Sequence, residues 1–68
     1  MNYFIVTANR IDIAGEPEPT PSYWSRSRIW MDEKALAKRY RFREQAESVS
    51  NKLSTKKFKN ISVEEMFS

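Results

Sequence analysis

The chain of 68 residues has no cysteine and no histidine. Without thiols no disulfide can constrain the unfolded chain, and no thiolate can hold zinc or attack a substrate. Without imidazole, the side chain that most often moves protons near neutral pH is missing as well. Glycine occurs once, as Gly15, too few for the glycine-rich loops that cradle phosphates. The longest stretch without a polar side chain is Tyr3 to Val6, far short of the roughly 20 residues that span a bilayer. The N-terminal stretch also lacks the basic segment and apolar run of a secretory signal. Acidic pairs occur at Asp32-Glu33, Glu44/Glu47 and Glu64-Glu65, but none has the spacing of a calcium loop. These absences predict a non-enzymatic protein with no catalytic residue, no metal and no cofactor, kept in the cytoplasm and off membranes.

What is present suits a small folded unit. Two tryptophans, three tyrosines and four phenylalanines sit in a chain that is 40% hydrophobic and 31% charged, enough for one core. A domain this small buries only about 60% of the surface its unfolded chain exposes, so a single domain over 1–68 is expected. The net charge of +3 is uneven. Residues 1–20 carry Arg10 against Asp12, Glu16 and Glu18, whereas eleven of the twelve basic residues follow position 20. A basic excess of this kind attracts nucleic acid or an acidic protein surface, and it also serves solubility.

Tyr3 to Ile13 is rich in aromatic and β-branched residues and predicts a first strand, bent near Asn9 and Arg10. Residues 16–21 read Glu-Pro-Glu-Pro-Thr-Pro. Proline lacks an N–H and fixes φ, so this segment predicts an exposed, polyproline-like loop and no central strand. Tyr23 to Met31 alternates, with Trp24, Arg26, Arg28 and Trp30 on one face and Tyr23, Ser25, Ser27, Ile29 and Met31 on the other, which predicts a second strand. Asp32 offers a cap for a short helical turn. Phe42, Ala46, Val49 and Leu53 follow helical spacing and predict the main helix over about 41–54. A polar basic connection follows, and alternation from Asn60 to Met66 predicts a last short strand. The fold class is therefore α+β: a small antiparallel sheet of about three strands, ordered β-β-α-β, with one main helix on one face.

The run from Ala37 to Ala46, A-K-R-Y-R-F-R-E-Q-A, leads through Leu53 to a strand at Ile61 and Val63 and follows an opening Tyr3-Phe4-Ile5-Val6. In this it resembles small uncharacterised phage and prophage proteins that dock one helix on a sheet. The resemblance implies Ala37 and Ala46 as small contacts and Tyr40 as an anchor, and it implies action in the host cell cytoplasm. Phe42 stands where a helix-capping Ser or Thr is usual in that pattern.

Two surface constellations are candidates for binding. Trp24, Arg26, Arg28 and Trp30 form a Trp/Arg strip with the composition of an interface hot spot; cation–π stacking that merely holds the strand face in place accounts for it too. Lys38, Arg39, Arg41 and Arg43, interleaved with Tyr40 and Phe42 and joined by Lys56, Lys57 and Lys59, have the types that neutralise phosphates and stack on bases. A solvated surface and contact with an acidic protein are the other accounts of these cations. The leading expectation is an accessory protein that binds and modulates a host protein through the strip. The alternatives are a nucleic-acid-binding module and a homodimer joined through a strand edge.

Overall fold

The computed structural model describes residues 1–53 and 55–67. Four strands, β1 (Asn2–Ile11), β2 (Pro17–Trp24), β3 (Trp30–Met31) and β4 (Phe58–Phe67), make one sheet in the order β3-β2-β1-β4, with all pairs antiparallel. Between β3 and β4 come a single 3-10 turn, Lys34–Leu36, and helix α1, Arg43–Lys52. The α+β class and the single main helix agree with expectation, whereas the sheet has four strands rather than about three. The helix was expected over 41–54; its observed bounds are tighter, and position 54 lies outside the described residues.

Central strand β1 organises the core. Ile5 and Val6 are adjacent yet 1% and 0% exposed. Successive strand residues point to opposite faces, so both faces of β1 are covered. On one, Val6 joins Tyr40 and Ala46, with Phe4, Trp24, Trp30, Val49, Leu53, Ile61 and Val63 packed around them under α1. On the other, Ile5 meets Tyr23 and Ala37, with Tyr3 and Met66 beside them. Residues 37–40 serve both faces because they run extended in the sheet plane. Phe4 and Tyr40 exchange N–H to carbonyl bonds of 2.8 Å, and the Lys38 N–H donates to the Trp24 carbonyl at 2.8 Å. Ala37 thereby fills one face and Tyr40 the other.

The proline-rich stretch is strand rather than loop, although its prolines are exposed as expected. Pro21 pairs with Asn9 and Pro17 with Ile11, so four steps along β2 match two along β1. This bulge is held by the Asn9 side chain, whose amide donates to the Glu18 carbonyl at 2.9 Å. Strand β3 pairs only with Tyr23 and Trp24, so the proline part of β2 borders an open edge. Three prolines two residues apart put their missing donors on the same side of the strand, and at an open edge that sacrifices no ladder bond.

Further expectations are corrected. Tyr23 to Met31 is not one strand, because the chain reverses between Trp24 and Trp30. The Ser25 N–H bonds the Ile29 carbonyl at 3.0 Å, the Ser25 hydroxyl donates to the same oxygen at 2.8 Å, and Arg28 takes a left-handed φ of 61°. Ile29, on the alternate face to the tryptophans in that pattern, is 53% exposed. Asp32 caps nothing, since the residue before the 3-10 turn is Glu33, which makes no side-chain cap bond. Phe42, expected at the head of the helical stripe, precedes α1 in an extended conformation and is 55% exposed, so the buried part of the stripe begins at Ala46.

Candidate binding groove

The hairpin reversal decides where the expected strip goes. Trp24 and Trp30 become cross-strand partners, with ring centroids 5.4 Å apart in an edge-to-face arrangement. Arg26 and Arg28 sit in the turn between them, so the continuous Trp/Arg ladder expected along one strand face does not form. Arg26 instead lines a separate hollow of about 410 Å³ with Met31, Leu36, Ala37 and Arg39.

Trp30 also stacks on Phe58 of β4, with centroids 4.6 Å apart and planes at 25°. The Arg10 guanidinium stands 5.8 Å from the Phe58 centroid. Beside these rings opens a cavity of about 290 Å³ lined by Trp24, Trp30, Leu53, Lys56, Lys57 and Phe58. Both tryptophans of the chain therefore wall one groove. Its position follows from the fold: Trp24 and Trp30 come from the β2–β3 hairpin, Leu53 from the end of α1, and Lys57 and Phe58 from the entry to β4. That entry is pinned by the Ile11 N–H bonding the Lys57 carbonyl at 2.8 Å. None of the six lining residues is acidic.

The basic residues divide into two groups far apart. Residues 38–43 gather where β1 begins: Arg39 lies 4.6 Å from the Tyr3 ring centroid, Arg43 5.1 Å from Phe4, Lys38 5.2 Å from Tyr40 and Arg41 5.6 Å from Phe42. Since Tyr3 and Phe4 point to opposite faces, Arg39 and Arg43 do too. Lys57 and Lys59 gather where β1 ends, with Lys59 Nζ 3.4 Å from the Gly15 carbonyl. Six strand residues at about 3.4 Å each separate the groups by roughly 20 Å. Of the candidates read from the sequence, the groove unites Trp24 and Trp30 with Lys56 and Lys57 and omits the rest. It adds Leu53 and Phe58, the latter hidden in the run Lys56-Lys57-Phe58-Lys59, where a lone ring among lysines was the available signal.

Among the described residues, every buried side-chain polar atom has a partner, no group of three or more acidic side chains is positioned to share a cation, and no helix is long and apolar enough to cross a membrane. No protein-family model matches the chain, and neither a curated protein nor a solved structure matches it.

Proposed function

We propose that the protein is a non-enzymatic binding module whose contact surface for another protein is the groove between Trp24, Trp30, Leu53 and Phe58. In the phage setting that the sequence resemblance implies, the partner is a protein of the host. The single observation that supports this most is the convergence of both tryptophans and Phe58 on one open cavity of about 290 Å³. Clustered aromatic side chains in a desolvated pocket dominate the energetics of protein contacts, because they bury large areas at little entropic cost. A nucleic-acid footprint has less support, since its cations divide between two ends of β1 and four of them, Lys38, Arg39, Arg41 and Arg43, lie over the protein's own rings. The test is affinity capture from host lysate with and without nuclease, comparing the native chain with Trp30→Ala. Capture that survives nuclease and disappears with Trp30→Ala supports the proposal; capture that disappears with nuclease contradicts it.

A homodimer is a second reading, favoured by the edges of the sheet. Strand β4 is ten residues long, contains no proline and forms the edge opposite β3. An edge of that length is a template for pairing with a second copy. Sedimentation at two protein concentrations separates a dimer from a monomer.

A further inference from the structure

We infer that the groove selects an acidic peptide segment carrying one large apolar side chain, which inserts between the rings while its carboxylates meet the lysine rim. The inference rests on the protein-binding reading and names the partner's chemistry. Three observations carry it.

The first is size. About 290 Å³ is at the lower limit for a small-molecule pocket, and suits a single anchoring side chain better than a cofactor. The second is how the rings are used. Trp30 and Phe58 are stacked on each other, Trp24 meets Trp30 edge to face, and Arg10 approaches Phe58. One face each of Trp30 and Phe58 is taken up by their mutual stacking, and Arg10 approaches Phe58, so fewer ring faces stay open and the Leu53 side chain completes an aliphatic wall. Such walls accept an aliphatic or aromatic group by insertion, and give a planar base less to stack upon.

The third is charge. Two of the six residues lining the cavity, Lys56 and Lys57, are basic, and none of the six is acidic. Lys57 makes no ion pair among the described residues, and the backbone bond from Ile11 holds it in place. Asp12 lines an adjoining hollow, which it shares with Arg10, Lys57 and Phe58. One Asp12 carboxylate oxygen already accepts the Glu16 N–H at 2.9 Å. The local field therefore favours carboxylates at the rim and opposes a basic segment.

Both tryptophans line the groove, so intrinsic fluorescence of the full chain reports occupancy directly. Four probes are titrated: the peptide Asp-Glu-Phe-Glu-Asp, the same peptide with Ala for Phe, Lys-Lys-Phe-Lys-Lys, and oligothymidylate. The expected result is saturable change with the first probe, weakened about tenfold or more without the anchor or in the variant Lys56→Glu/Lys57→Glu; tenfold corresponds to about 1.4 kcal/mol. The two lysine side chains are exposed, and an unchanged circular dichroism spectrum verifies that the variant folds. Equal or tighter binding of the lysine peptide overturns the inference while leaving a protein-binding groove in place. Tightest binding of oligothymidylate overturns both. Silence with all four probes also overturns the inference, and the Trp30→Ala capture experiment then decides the broader reading alone.

Discussion

The chain places rings beside cations in two regions, and uses them differently. Where β1 begins, Tyr40 is 7% exposed and Lys38, Arg39 and Arg43 lie over Tyr40, Tyr3 and Phe4. There the rings belong to the core and the cations cover them, a solvated lid on an apolar interior. Where β1 ends, Trp24, Trp30 and Phe58 contact one another while lysines edge an open cavity. The same residue types make structure at one end and a proposed recognition surface at the other. What separates them is depth: Tyr40 is buried beside β1, whereas Trp24 and Trp30 flank the same core cluster and, with Phe58, stay half-buried.

That contrast predicts opposite costs for ring removal. Tyr40→Ala should destabilise by about 3–5 kcal/mol, the range for losing a buried aromatic side chain, and chemical denaturation would show it as a folded fraction falling sharply in a domain of this size. If Tyr40→Ala unfolded no more readily than Phe58→Ala, the two regions would not differ as described. Phe58→Ala should cost less, about 1–2 kcal/mol, because that ring is only half-buried, yet it should abolish capture of a protein partner. Loss of stability without loss of capture would make Phe58 structural only.

Smaller effects sharpen the comparison. Burial raises the Tyr40 phenol above its usual pKa of 10.0. The folded state therefore holds that proton more tightly than the unfolded chain. The stabilisation is fully present below pH 10 and is lost as pH rises through the folded value. Denaturation midpoints measured across alkaline pH should decline, and Tyr40→Phe should flatten the decline; an identical slope in that variant would deny the phenol its role. Replacing Arg39 or Arg43 by methionine should cost about 0.5–1 kcal/mol, the worth of one exposed cation–π contact, and leave groove binding untouched. The least effect belongs to Arg28→Gly. Its φ of 61° strains a side-chain-bearing residue, so glycine there should raise the denaturation midpoint slightly, by up to about 1 kcal/mol, and capture should be unchanged.

Much of the framework was legible because it depends on local pattern. Strand β1 is apolar and β-branched, α1 follows from Ala46, Val49 and Leu53, and β4 from the alternation of Ile61 and Val63. The β2–β3 hairpin was not, for a physical reason. Trp24 and Trp30 share a face whether they lie six residues apart on one strand or directly opposite across a turn, so period two fits both. Ser25 and Ser27 were the available turn signal, since serine side chains satisfy backbone groups where the chain reverses, as Ser25 does. The prolines misled in the other direction. They exclude a strand bonded on both sides, but β3 is only two residues long and leaves them an open edge. The groove was half visible: its tryptophans and its lysines were each singled out, in separate candidate sites, and only the long-range stacking of Phe58 on Trp30 joins them.

The central claim, that both tryptophans line one groove in a positive field, can be measured without any partner. Collisional quenching of the intrinsic fluorescence by iodide should exceed quenching by caesium at equal ionic strength, and the difference should collapse in Lys56→Glu/Lys57→Glu. Equal quenching by the two ions in the native chain, or stronger quenching by caesium, would contradict it.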